Sequence, residues 1–413
     1  MKKAVVSHHF WDRPGGGQLV CSAVAYALKV LGFNPVLTSI SLFERDKYID
    51  WFGINLQDYE VIPFLKFRLR AFGIYMRLLV WVPMKKAIEK LNPDIVFTDE
   101  CTYRPVEKLV DREKTLFVEY IHFPIEVSIL EEYKGSGLYY GEDPYLLERY
   151  SRFPMNIYWW GYAKLLPLFL RRNPFEVASL VLTNSKWTAE IAGKIYGERP
   201  QVLNPPIAPN VEIAQEPKVF EERENAIVML GRFSEEKRYH WVVEEVMPRL
   251  RRELGGVKLY VFGGARTKTS MMYLSEVGER ATRRGLKVSN NIKDLADIYL
   301  VPDAPRKVIN NVMDKAKVFL HATINEHWGI APAEAMARGL PIVVHKSGGT
   351  WSDLAVEGEY GLGYNNIEEV IELLSKLLND ENVWRHYSKR SILKAGDLTI
   401  IKFIDRLKGL IKA

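Results

Sequence analysis

The chain has 413 residues, 47% of them hydrophobic and 26% charged, which suits a globular protein of two ordinary domains, and no internal repeat or low-complexity stretch is visible in it. Its 57 basic against 51 acidic residues give a net charge of +6, too mild to imply nucleic acid by itself but enough to favour anionic substrates or membrane surfaces where it clusters. Cys21 and Cys101 lie in apolar surroundings without a Cys-x-x-Cys spacing, so neither a disulfide framework nor a thiolate zinc site is expected, and both read as small core residues.

Met1-Lys2-Lys3 runs straight into an apolar stretch, which reads as no signal peptide. No uncharged apolar run reaches the roughly 18 residues of a spanning helix. A reducing, cytoplasmic protein is expected. Ala4 to Ser7 is a buried-strand candidate followed by His8-His9-Phe10, then Gly15-Gly16-Gly17 and a helix from about Gln18 to Leu31. A strand, a glycine turn and a helix bring backbone N–H groups close to a ligand. The glycines do not form Gly-x-Gly-x-x-Gly, and by themselves a bare turn is their plainer reading. Further strand candidates are Pro35–Ser39, Asp94–Thr98, Thr115–Ile121, Ser179–Thr183 and Gln201–Asn204, with helical stretches between several of them. Such alternation predicts an α/β, doubly wound parallel sheet. His122-Phe123-Pro124 follows one of these strands on the side where ligands bind, and a lone His there is either structural or functional. Asn184-Ser185-Lys186-Trp187-Thr188 follows another and contains a ready helix cap.

Asn204-Pro205-Pro206-Ile207-Ala208-Pro209-Asn210 lacks periodicity and reads as an interdomain linker. A second alternation starts at Ala226–Leu230 and continues through Val257–Phe262, Val318–Ala322 and Leu340–Val344. Arg232 and Lys237 emerge just after its first strand, where a forked and a point cation suit a diphosphate; a surface basic pair is the plainer reading. After Val318–Ala322 comes a polar loop with Asn325, Glu326, His327 and Gly329, then an Ala-rich helix read from Pro332 to Gly339. Seven residues separate Glu326 from Glu334, which this reading puts in the first helical turn. The N–H groups around Trp328, Gly329, Ile330 and Ala331 suit an anion, so the two acids can serve opposite ends of one ligand. A capping Glu334 and a solvated Glu326 fit the spacing equally well.

Glu326-(seven residues)-Glu334 followed by Ala335-Met336-Ala337-x-Gly339-x-Pro341 and Ser347-Gly348-Gly349 resembles the signature of the retaining glycosyltransferases of family 4, of GT-B fold. Asn325-Glu326-His327-Trp328-Gly329-Ile330 is similar to the mannosyltransferases that extend the dolichol-linked oligosaccharide. Gly231-Arg232-Phe233-x-x-x-Lys237, His122-Phe123-Pro124 and Asn184-Ser185-x-Trp187-Thr188 match further stretches of the family. The resemblance implies two Rossmann-like domains facing a central cleft that closes on the donor, spanning 1–205 and 206–392, with 393–413 as a final helix returning to the first domain. It implies that Glu326 and the backbone of Trp328 to Ala331 contact the donor sugar and diphosphate, and that Glu334 holds the ribose. Arg232 and Lys237 then grip the diphosphate, Gly16 and Gly17 face the diphosphate and acceptor, and His122 stands near the reacting sugar. Catalytic roles fall to Glu326, His122, Arg232 and Lys237.

The expected reaction moves a sugar, with retention, from a nucleotide diphosphate sugar (GDP-mannose is favoured) to a glycan or polyprenol-linked hydroxyl. No cofactor or metal is expected, in keeping with the lack of any Asp-x-Asp. The alternatives are a UDP- or ADP-glucose enzyme with a soluble acceptor, a sugar-nucleotide epimerase of the same fold, and a non-catalytic nucleotide-sugar-binding subunit. Residues 64–90 and 155–175 combine aromatic with basic residues and nearly lack acids. They read either as interfacial helices for an anionic membrane, placing the protein peripherally on its inner face, or as amphipathic helices packed on their own domain.

Overall fold

Runs of Val, Ile, Leu and Phe with no polar alternation form strands buried on both faces, the pattern of parallel sheets. The computed structural model describes residues 2–69, 72–124 and 153–412. Within them lie two compact units, Met1–Asn210 with Thr399–Ala413, and Val211–Leu398.

The first unit holds β1 (Lys2–Ser7), β2 (Phe33–Ser39), β3 (Glu60–Pro63), β4 (Ile95–Thr98), β5 (Leu116–Ile121), β6 (Leu180–Thr183) and β7 (Gln201–Val202) in the order β3-β2-β1-β4-β5-β6-β7. All its pairings are parallel. The second unit holds β8 (Glu224–Leu230), β9 (Lys258–Gly263), β10 (Val288–Ser289), β11 (Ile298–Pro302), β12 (Ala316–His321), β13 (Ile342–His345) and β14 (Leu362–Tyr364) in the order β10-β11-β9-β8-β12-β13-β14, again all parallel. Both are doubly wound α/β sheets, as the alternation of elements predicts. The order reverses between β1 and β4 in one and between β8 and β12 in the other, the switch points where crevices open beyond the strand ends.

Helix Gly16–Val30 buries Leu19, Val20, Ala23, Val24 and Leu28 and packs against β1 and β2. The last helix, Ile400–Leu410, lies on it within the same unit through the buried Phe403 and Leu407. Helix Lys186–Tyr196 starts at Ser185, whose hydroxyl accepts from the Thr188 N–H at 3.1 Å. The segment 64–90 divides in function. Met76, Leu78, Val80, Met84 and Ile88 are core residues, Arg77 pairs with Glu100, and Lys90 pairs with Glu60. Its apolar content is therefore mostly structural, and Phe64, Phe67 and Phe72 remain exposed. Arg70 lies outside the described residues.

In the second unit, β8 and β9 approach closely where they end. Gly231 N–H donates to Phe262 O at 2.9 Å, and a Cβ built on Gly263 would stand 1.6 Å from Gly231 O. No rotamer relieves a clash with backbone, so Gly263→Ala should cost about 3 kcal/mol of stability. The urea midpoint checks this, with Gly256→Ala, whose Cβ meets nothing within 4 Å, as the control that stays near wild type.

Candidate functional site

At the switch point of the second sheet, the loops after β8 and β12 bring Lys237 and Glu326 together. Lys237 Nζ donates to Glu326 Oε2 at 2.6 Å, and His321, the last residue of β12, donates from Nε2 to the same oxygen at 3.1 Å. Burial alone would raise the Glu326 pKa. The Lys237 charge and the His321 hydrogen bond outweigh it and hold the carboxyl well below the usual range. His321 moves down, chiefly through burial, and stays neutral. The Ser347-Gly348-Gly349 turn fixes the backbone under Glu326: Gly349 N–H donates to Glu326 O at 2.7 Å, and Asn325 N–H to Ser347 Oγ at 2.8 Å. Gly348 has φ +72°, and a Cβ there would lie 2.3 Å from Glu326 O, so the close approach needs glycine.

Helix Ile330–Ala337 begins two residues earlier than the Pro332 start read from the sequence. Proline is tolerated throughout the first turn because those N–H groups have no intrahelical partner. Glu334 is consequently the fifth helical residue and not a first-turn acid. Its buried carboxylate meets Arg306, the first residue of helix Arg306–Met313, at 2.6 and 3.2 Å. Gly329 (φ +100°) caps Ile330–Ala337 without a side-chain hydrogen bond, and Trp328 beside it is buried. Arg232 does not join the cluster; its side chain is 69% exposed and reaches Glu236 at 3.4 Å.

The first sheet carries its own polar cluster at its switch point. Asp99, after β4, accepts from His8 Nδ1 (2.8 and 2.9 Å to its two oxygens) after β1, and from His122 Nε2 (2.9 Å) after β5. Burial would raise the Asp99 pKa; the two imidazoles and their hydrogen bonds carry it far below the normal range. Next to it, Glu100 meets His9 Nδ1 at 2.5 Å and Arg77 Nε at 2.7 Å. Burial opposes its ionisation, but Arg77 and then His9 bring its pKa down to about 2. Gly17 faces this cluster: a Cβ on it would come 3.1 Å from Asp99 Oδ2 and from His8 Cε1, and 3.5 Å from His122 Nε2. Gly16 is the exposed first residue of its helix. Asn184 supports His122 by donating to its carbonyl at 2.8 Å. Thus Gly17 and His122 come together, as do Lys237 and Glu326. His8, Asp99, Gln18, His321 and Arg306 were not picked out from the sequence. The signal that marks three of them is a polar residue ending or directly following an apolar strand run: His8, Asp99 and His321.

Residues 210–394 match the family model described as Glycosyl transferases group 1. The chain is 23% identical over 337 residues to the GDP-Man:Man(3)GlcNAc(2)-PP-Dol alpha-1,2-mannosyltransferase of Dictyostelium discoideum, a match covering 77% of this chain and 62% of that protein. The human protein of the same name is 22% identical over 302 residues, 70% of this chain and 57% of its own length. The chain thus spans about six-tenths of the length of these relatives. Among solved structures, Anabaena HepE in complex with UDP and glucose superposes with a TM-score of 0.65 at 14% identity, covering both chains in full. Sucrose-phosphate synthase from Thermosynechococcus elongatus gives 0.68 at 13% identity, over 100% of this chain and 98% of that one.

A depressed folded-state pKa contributes stability above the unfolded carboxyl value, about 4.3, and loses it as pH falls through the folded value. Lys237→Met removes the largest force that depresses Glu326. The variant should therefore unfold more easily than wild type at pH 7, with the gap narrowing as pH drops below about 4. Urea melts at pH 7, 5 and 3.5 measure the gap.

Proposed function

We propose that the chain, whose residues 210–394 match the Glycosyl transferases group 1 model and whose fold is GT-B, transfers a sugar from a nucleotide diphosphate sugar to a glycan or lipid-linked hydroxyl with retention of configuration. The observation that carries this reading is the Lys237–Glu326–His321 cluster at the switch point of the second sheet, in the loop that leads into a helix with no side-chain cap. Departure of the nucleotide leaves negative charge on the diphosphate, and stabilising that charge is the main electrostatic task. Lys237, the first-turn N–H groups of Ile330 and Ala331, and the long exposed arm of Arg232 supply positive potential without a resident metal. Glu326 and the backbone from Trp328 to Ala331 hold the sugar hydroxyls, and Glu334, oriented by Arg306, accepts from the ribose. On the family resemblance, Gly16 and Gly17 face the diphosphate and acceptor, and His122 the reacting sugar. GDP-mannose is the favoured donor and a polyprenol-linked glycan the favoured acceptor, supported by the Asn325–Ile330 motif and by the names of the relatives.

Helix Met155–Phe169 supports a peripheral membrane site. Tyr162 and Leu166 are buried against Leu78 and Cys101, while Ile157, Trp160 and Leu168 are exposed at 57, 59 and 64%. With Lys164, whose ammonium lies 4.4 Å from the centroid of the Trp160 ring, these fall at helical spacing on one stripe. An apolar stripe with a cation suits the interface of an anionic bilayer. No helix among the described residues is long and apolar enough to cross one.

Lys237→Ala should lower turnover by roughly 10²- to 10³-fold with the fold retained by circular dichroism. Glu334→Gln should weaken GDP binding about tenfold by calorimetry. A thermal-shift panel of GDP, UDP and ADP should show the largest rise with GDP; a rise with UDP or ADP instead removes GDP-mannose as donor, and full turnover in Lys237→Ala removes the proposed site. Separately, the protein should co-sediment with phosphatidylserine vesicles at low salt, and Trp160→Ser with Leu168→Ser should abolish it.

A further inference from the structure

A backbone carbonyl can only accept a hydrogen bond, and this fixes the proton positions along a chain of side chains that ends at His122. Gln18 Nε2 lies 2.6 Å from Phe10 O, so the amide presents its NH2 there. The same nitrogen lies 3.0 Å from His8 Nε2. A donor at that distance requires a lone pair on the ring, which puts the His8 hydrogen on Nδ1, facing Asp99. Burial pushes the His8 pKa down and Asp99 carries it above its ordinary value, yet a second proton on Nε2 would point at the Gln18 N–H. Asp99, buried and ionised, only accepts, so the His122 nitrogen at 2.9 Å, Nε2, must carry a hydrogen.

We infer that Asp99, accepting from both His8 Nδ1 and His122 Nε2, holds His122 as its Nε2–H tautomer, while Phe10 O and Gln18 fix the His8 hydrogen on Nδ1. Its Nδ1 then offers a lone pair on a side chain that is 31% exposed. Gln18, His8 and Asp99 are positioning residues, and His122 accepts a hydrogen bond from a sugar hydroxyl, a role that rests on the proposed reaction. The glycine loop is shaped around the chain. A Cβ on Gly15 would lie 2.5 Å from Gln18 Oε1, and one on Gly17 would press on Asp99 and His8. No group transfer occurs within the chain; it only fixes which ring nitrogen is basic.

The chain makes a sharp prediction for Asp99→Asn. Because Gln18 pins the His8 hydrogen on Nδ1, the new amide must turn its oxygen to His8 and its NH2 to His122. The His122 hydrogen then moves to Nδ1. Long-range 1H–15N spectra of the full chain with 15N-labelled histidine, assigned through His122→Gln, read this directly. Wild type should show the Nε2–H tautomer and Asp99→Asn the reversed one, with turnover lowered about a hundredfold. Gln18→Met should leave the His122 tautomer unchanged and raise the pH at which His8 takes up its second proton. A wild-type His122 with its hydrogen on Nδ1, or an unchanged His122 signal in Asp99→Asn, overturns the chain. If Asp99→Asn does not fold, the wild-type spectrum and Gln18→Met still decide. The spectra need no substrate, so the expected tautomer in a protein that moves no sugar would keep the chain and remove the hydroxyl role together with the reaction.

Discussion

The reversal of strand order inside each parallel sheet is the constraint on which the polar chemistry depends. Ser7 of β1 pairs in register with Thr98 of β4, so the residues that follow, His8 and Asp99, leave the sheet side by side. The switch in strand order opens a crevice beyond these strand ends, and the Gly17 backbone comes close to both side chains. In the second sheet Val228 of β8 pairs with Phe319 of β12, which sets the ends of those strands level and lets the next loops carry Lys237 and Glu326 to a 2.6 Å contact. Residues 89 apart in one case and 91 in the other meet because of register alone. A carboxylate there is too buried to stand unpaired, so each cluster is completed by cations and imidazoles from the adjacent strand ends.

How much of this was legible in the sequence follows from the same physics. Strands buried on both faces show as apolar runs, which is why Ala4–Ser7, Ser179–Thr183 and Val318–Ala322 could be read directly. Glu60–Pro63, Val288–Ser289 and Leu362–Tyr364 are short and all three lie at sheet edges, where half-exposed residues blur the pattern. Ile298–Pro302 is not among the strands read from the sequence; its Pro302, as the last strand residue, only closes the ladder. Lys237 and Glu326 were found through motif likeness; no local pattern says that they touch. Arg306 went unseen because a basic residue at a helix start, opposite the usual dipole preference, reads as a surface accident. Its reason is the carboxylate of Glu334, a partner 28 positions away. Nothing local marks Asp99-Glu100, since a buried acid is recognisable only once its His and Arg partners are known.

The Lys237–Glu326 pair also bears on how an anionic ligand enters. A lysine already neutralised by a carboxylate projects little field, so on the proposed reading the pair has to open when the donor binds. Opening a half-buried ion pair is costly when either partner is left uncompensated. A nucleotide diphosphate sugar brings both replacements at once, phosphate oxygens for the ammonium and sugar hydroxyls for the carboxylate. A nucleoside diphosphate alone brings the first and strands Glu326, with only the neutral His321 still donating to it. The intact donor is thereby favoured over its own product through the same carboxylate, and release of the diphosphate is helped as Glu326 recovers Lys237. A site built from a free lysine would grip product and substrate alike, because the phosphate would meet the same charge in both.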